Sequence, residues 1–255
     1  MQQPSPPSRP TRVLLLTQWF DPEPTLKGMV FARELVRQGF EVEVVTGFPN
    51  YPGGKVYPGY RIKLLQREVI DGVQVTRLPL YPNHDQSAIK RVLNYASFAA
   101  SATIYGVFMA KRADVMYAYH PPLTVGMAAA LIKLFRRIPV AYDIQDMWPD
   151  TLRATGMLNN PKALDWVARV CRWVYRRMDH IVVLSPGFKR LLRERGVPES
   201  KLSVIHNWAD EASLSAPVGQ VPAAFPGAAQ FRILFAGNMG KAQALDTVLD
   251  AASLL

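Results

Sequence analysis

Cysteine is nearly missing: Cys171 stands alone in a chain of 255 residues. One thiol excludes an internal disulfide and a thiolate zinc site, and it suits a reducing compartment. Long apolar runs are missing as well. The nearest approach to the ~18–20 residues of a membrane span is 94–110, NYASFAASATIYGVFMA, which Asn94 and several Ser and Thr interrupt. The opening MQQPSPPSRP has no apolar block behind a basic one, so it is not a secretory signal; residues 1–11 read as a disordered leader. Neither a GxGxxG fingerprint nor a GxxxxGK[ST] phosphate loop occurs. No carboxylate–x–carboxylate pair suggests a metal, and neither a metal nor another cofactor is expected.

What is present suits a globular core, with 49% hydrophobic residues against 20% charged ones. The net charge of +10 points to an acidic partner: nucleic acid, anionic lipid or a phosphorylated ligand. The basic residues are scattered as RR, KR and RER on helix faces, with no basic–aromatic ladder, so a nucleic-acid partner is not expected. They form an ordinary solvated surface, with a membrane-facing patch as the other reading.

Short apolar runs alternate with helical patterns. Strands are expected at 12–17, 41–46, 73–80 (after the Asp71-Gly72 turn), 115–119, 140–144, 180–184 and 203–205, and helices at 27–38, 87–111, 123–136, 161–177 and 186–195. This alternation predicts an α/β domain, a doubly wound, mostly parallel, Rossmann-like sheet over residues 12–210. The stretch 211–230 lacks periodicity and reads as a linker. FRILFA at 231–236, a glycine turn at 237–241 and a helix from 245 then read as the first unit of a second, truncated domain, 231–255.

Ligands of such sheets sit at the carboxyl ends of the strands. The loop QWFDPEPTLKG there ends at Lys27 and Gly28, where a helix start could hold a phosphate. His120, stiffened by Pro121 and Pro122, can hydrogen-bond a sugar hydroxyl or a phosphate. Of Asp143, Asp146 and Asp150, Asp146 is taken as functional and Asp150 as a helix cap. FAGNMGKAQ could hold a diphosphate through Gly237, Asn238, Gly240 and Lys241. Each of these has a structural alternative, a packing glycine, a satisfied core histidine or an ordinary turn.

Together LTQWFDPEP with Lys27-Gly28, TGFPNYPGG, LYPNH, HPPLT, DIQDMWPD, LSPGFK, VIHNWAD and AGNMGKAQ are specific in order and spacing. On these segments the chain resembles the GT-B retaining glycosyltransferases of family four, among them bacterial enzymes of the colanic-acid and L-fucosamine type. The resemblance implies two Rossmann-like domains across a cleft, the N-terminal one for the acceptor and the C-terminal one for a nucleotide-sugar donor. It places Gly28 near the donor phosphates, His120 near the transferred sugar and Lys241 in the phosphate loop. Asn238 stands where the family commonly has Arg, and Gln243 near its usual Lys. The family's acidic EX7E motif is expected beyond Leu255.

The expected function is transfer of a sugar from a nucleotide-sugar to a polyprenyl-diphosphate-linked saccharide in surface polysaccharide synthesis. The expected location is the cytoplasm, peripherally on an anionic inner membrane surface. His120 and Asp146 are the expected catalytic residues. The donor is expected at Lys27, Gly28, Gly237, Asn238, Gly240 and Lys241. The short chain is expected to be inactive by itself. The alternative is a truncated, non-catalytic binding domain.

Overall fold

The computed structural model describes residues 9–83, 88–209, 233–237, 239–240 and 243–254. Eight strands form one sheet: β1 (Arg12–Thr17), β2 (Glu41–Gly47), β3 (Gln66–Ile70), β4 (Val73–Leu78), β5 (Val115–Tyr119), β6 (Val140–Ile144), β7 (His180–Val183) and β8 (Leu202–Val204), in the order β3-β4-β2-β1-β5-β6-β7-β8. All neighbours are parallel except β3 and β4. The helices are α1 (Met29–Arg37), α2 (Ala88–Phe108), α3 (Leu123–Arg136), α4 (Asp150–Ala154), α5 (Pro161–Arg177), α6 (Pro186–Glu194) and α7 (Leu245–Ala252).

The continuous apolar runs of the central strands are buried on both faces, as parallel strands under two helical layers require. Leu14, Leu16, Met116, Tyr142 and Ile181 share one core with α2, α3 and α5. Val13, Leu15, Val42 and Val75 point the other way, against Met29 and Ala32 of α1. The α/β doubly wound expectation therefore holds.

Three local expectations are corrected. A strand precedes the Asp71-Gly72 turn: both turn residues have positive φ, 50° and 81°, which closes a tight hairpin between β3 and β4. β3 carries Gln66, Arg67 and Glu68 and half-exposed apolar residues, as befits an edge, so its periodicity was too polar to signal a strand. Ile233–Ala236 is not a strand, and Ile233 and Leu234 are exposed; no strand among the described residues pairs with it. Asp150 opens α4 but does not cap it. Its carboxylate accepts from the Arg195 guanidinium, which also donates to the Trp148 carbonyl at 3.0 Å. The linker 211–230 lies outside the described residues.

The topology fixes where a ligand belongs. From β1 the chain builds outward through β2, β4 and β3, then returns to build β5 to β8 on the other side. The order reverses between β1 and β5, and the crevice of an open α/β sheet lies beyond the carboxyl ends at such a switch point. Thr17 pairs with Tyr119, and Tyr119 with Asp143. Trp19, His120 and Asp146 therefore leave the sheet along the same edge.

Candidate functional site

The loop after β1 is held from below by buried polar groups. Gln18 Nε2 donates to Asn94 Oδ1 (2.7 Å), and Asn94 Nδ2 donates to Asn50 Oδ1 (3.3 Å) and the Tyr81 carbonyl (2.7 Å). Glu23 is buried and accepts backbone N–H bonds from Asn50 (2.7 Å), Tyr51 (2.7 Å) and Phe20 (3.2 Å). Burial pushes its carboxyl up to about 7, against the pull of those donors. One carboxylate thus ties the first βα loop to the loop after β2.

Lys27 and Gly28 lie at the switch point, with their polar surroundings already engaged. Lys27 is buried and its ammonium pairs with the equally buried Asp143. Asp143 also accepts from Tyr117 Oη (2.5 Å) and Gln145 Nε2 (2.6 Å). The ammonium lies 5.4 Å from the ring centres of Tyr119 and Trp208, and Asn207 Nδ2 donates to Gln145 Oε1 at 3.0 Å. VIHNWAD and DIQDMWPD therefore meet around Lys27. Burial draws the Lys27 ammonium down, to about 8, while the touching carboxylate favours its charged form.

Gly28 is the N-cap of α1, and the Met29 N–H donates to the Asp21 carboxylate at 2.6 Å. A Cβ on Gly28 would run into that same Asp21 oxygen. Glycine is needed there so that a carboxylate can close over the helix start. The helix dipole expected to attract a phosphate already faces an anion from the chain itself.

His120 is 1% exposed, and its backbone N–H donates to the Asp143 carbonyl at 3.0 Å. Its ring stands edge-on to Tyr142 and Trp148, with centroids 5.9 and 6.1 Å away, and Nδ1 has no partner. Burial lowers its pKa to about 3, so the ring is neutral at physiological pH. It can give or take a hydrogen bond but is not poised to cycle a proton. Asp146 is half-buried, with its carboxyl raised by burial, and its charge acts on Tyr95, Tyr119 and Tyr142. No cation pairs with it among the described residues. An unpaired carboxylate with a raised pKa is suited to accept from a hydroxyl.

Beside these groups runs an open groove of about 540 Å3, lined by Trp19, Thr25, Leu26, Tyr51, Tyr119 and Pro121. Trp19 and Tyr51 stack at 4.3 Å, and Tyr95 meets Trp19 edge-on at 6.4 Å.

Gly237 and Gly240 are exposed, and Gly240 N–H bonds locally to Gln243 Oε1 (3.0 Å). Asn238 and Lys241 lie outside the described residues. Among the described residues no cluster of three His, Cys, Asp or Glu could hold a metal. Sequence reasoning missed Asp21 and Glu23, although both fall in the singled-out LTQWFDPEP segment. It also missed the stacked pair, whose rings come from LTQWFDPEP and TGFPNYPGG.

Residues 29–208 match the glycosyl transferase 4-like domain. The chain belongs to that family. A protein of Escherichia coli K12 named as a colanic acid biosynthesis glycosyl transferase, WcaI, is 28% identical over 236 residues, covering 87% of this chain and 56% of its own. A Pseudomonas aeruginosa protein named as the glycosyltransferase WbjE is 25% identical over 151 residues, covering 57% and 38%. The chain spans about half the length, or less, of these curated relatives. Two Arabidopsis thaliana structures share the fold. The catalytic domain of starch synthase IV has a TM-score of 0.52 at 13% identity, covering 81% of this chain and 53% of that one. UGT89C1 has 0.51 at 10%, covering 85% and 56%. The GT-B fold is thereby established for a chain of the glycosyl transferase 4-like family.

Proposed function

We propose that this domain forms the acceptor-side wall of a retaining glycosyltransferase. The enzyme would move a sugar from a nucleotide-sugar to a polyprenyl-diphosphate-linked saccharide in surface polysaccharide synthesis. The observation that carries this reading is the placement of buried His120 and half-buried Asp146 after the adjacent strands β5 and β6, with Tyr119 and Pro121, the neighbours of His120, lining an open groove. The relative named for colanic acid biosynthesis supports the pathway class. The two structural neighbours, described in complex with ADP and acarbose and with UDP-L-rhamnose, support a nucleotide-linked donor.

Our reading of the roles follows the chemistry. His120 hydrogen-bonds a hydroxyl of the transferred sugar, and Asp146 orients the acceptor hydroxyl against the anomeric carbon. Lys27 holds Asp143, and with it the floor of the donor site, while Gly28 lets the loop close onto α1. The turn carrying Gly237, Asn238, Gly240 and Lys241 supplies N–H groups and a cation to the leaving diphosphate. In a retaining transfer of this kind a donor phosphate oxygen takes the acceptor proton, which needs no titrating histidine.

The membrane part of the proposal rests on α2. Ile89, Val92, Leu93, Ala96, Ala100, Ile104 and Phe108 are all exposed, a continuous apolar stripe at helical spacing with Phe108 79% accessible. Lys90 and Arg91 begin it, and Lys111 and Arg112 follow its end. No helix among the described residues is long and apolar enough to cross a membrane. A stripe of this kind suits a helix lying flat on an anionic bilayer.

The test is transfer of radiolabel from a panel of nucleotide-sugars to lipid-linked saccharide by a protein in which this domain is joined to its donor domain. Asp146→Asn and His120→Ala should each lower turnover at least ~10²-fold, the scale of one lost transition-state contact, with melting little changed for Asp146→Asn. Unchanged turnover in either variant removes that residue from the site.

A further inference from the structure

The stacked pair at the groove has no part in the chemistry above, yet the fold invests in holding it. Trp19 and Tyr51 come from different loops and overlap at 4.3 Å with 26° between planes. Thr17 Oγ1 donates to the Trp19 carbonyl (3.0 Å), the Tyr51 N–H is bound by Glu23 (2.7 Å), and Tyr57 Oη donates to the Tyr51 carbonyl (2.6 Å). Beneath them lies the buried chain Gln18–Asn94–Asn50. These bonds fix the backbone that carries the two rings, and their mutual stacking restrains the rings themselves before any ligand arrives, which is how a binding surface is pre-organised. Both rings remain partly exposed, and both line the groove.

We propose that the Trp19–Tyr51 platform, walled by Tyr119 and backed by the edge-on Tyr95, is a saccharide subsite that stacks one pyranose ring of the acceptor. A pyranose has a flat face of C–H bonds and a rim of hydroxyls. It needs an aromatic surface below and hydrogen-bond acceptors at the edge. The groove offers the first in Trp19 and Tyr51, and the second in the Thr25 and Tyr119 hydroxyls on its wall. Its volume of about 540 Å3 lies within the ~300–1,000 Å3 usual for small-ligand sites. The same lining disfavours other flat or apolar occupants. No Lys or Arg lines the groove to receive a nucleotide's phosphates. An isoprenoid chain would leave those hydroxyls unused. The proposal rests on the acceptor-side reading and adds to it the ring-stacking residues and a neutral sugar as the unit they bind.

The experiment is saturation-transfer-difference NMR on the chain, with methyl pyranosides of glucose, galactose and fucose, with uridine and with geraniol as probes. At least one pyranoside should receive saturation concentrated on one ring face. Trp19→Ala and Tyr51→Leu should each weaken its Kd about ten-fold or more, a change of ~1.4 kcal/mol. Trp19→Phe should keep most of it, and circular dichroism checks that each variant is folded. Uridine or geraniol binding in place of every pyranoside overturns the proposal, as does equal pyranoside binding by wild type and the folded Trp19→Ala or Tyr51→Leu variants. A transfer assay on a protein in which this domain is joined to its donor domain separates the two readings. Transfer with an acceptor KM indifferent to Trp19→Ala removes the subsite and leaves the enzyme. Trp19-dependent pyranoside binding without transfer from any donor leaves the subsite and removes the enzyme.

Discussion

Lys27→Met would leave the Asp143 carboxylate buried without the cation that now touches it. The side chain is 0% exposed, so water does not replace the ammonium. Two neutral donors remain, Tyr117 Oη at 2.5 Å and Gln145 Nε2 at 2.6 Å. Breaking a buried pair by removing one partner typically costs ~3–5 kcal/mol. For a chain of this size that is a fall in Tm of roughly 6–20 °C. The stranded carboxylate can escape part of the cost by taking a proton, so the loss should be larger at pH 8 than at pH 5. Lys27→Met with Asp143→Leu should recover most of it, since an apolar pair of similar volume is often as stable as a buried ion pair. The assay is urea denaturation of both single variants and the double variant at two pH values. A loss under ~1 kcal/mol for Lys27→Met, or strict additivity in the double variant, would refute the pairing. If Lys27 instead served only as a phosphate ligand, nucleotide-sugar affinity would fall while stability stayed put.

Glu23 has its pKa raised from 4.5 to about 7. The folded state therefore binds more protons than the unfolded one between those values, and its stability contribution, full below pH ~4.5, is lost as pH rises through ~7. The span is up to about 3 kcal/mol, and Glu23→Gln should flatten that part of the stability–pH curve. Gly28→Ala should push Asp21 off the Met29 N–H and cost ~0.5–2 kcal/mol, the range of a lost helix cap; Asp21→Ala on top of it should add little, as a denaturant-midpoint comparison would show. In liposome flotation the chain should bind more with rising anionic lipid and less with salt, and Phe108→Glu should weaken binding; salt-independent or absent binding would sink the α2 proposal.

Much of the fold was legible because its signals are local. LLL in β1, VVT in β2 and the helical spacing of α3 and α5 state their elements directly, and the alternation of the two types implies the parallel sheet. β3 was hidden because an edge strand is polar and short. The described part of FRILFA, Ile233–Ala236, misled because an apolar run makes a strand only when another strand offers its ladder. The common placement of Lys27, Gly28, His120 and Asp146 was legible, since they follow the adjacent strands β1, β5 and β6. Its pairings were not. Lys27 and Asp143 are far apart in sequence, as are Glu23 and Tyr51, and nothing local announces that one neutralises or anchors the other.

Those pairings change what this wall of the cleft can do. Its cation at Lys27 is matched by Asp143, and the helix start that could bind a phosphate faces Asp21. Glu23 is spent on three backbone N–H groups, and His120 is neutral. What remains open is Asp146 and a set of aromatic rings. Such a surface is a poor place for a diphosphate and a good one for uncharged hydroxyls. Stabilising the leaving group's charge would then fall to groups outside this wall, and the donor-side role of the Gly237–Lys241 turn becomes the more demanding half of the proposal. The proposed division of labour, acceptor on one domain and donor on the other, is consistent with where the buried charges are already spent.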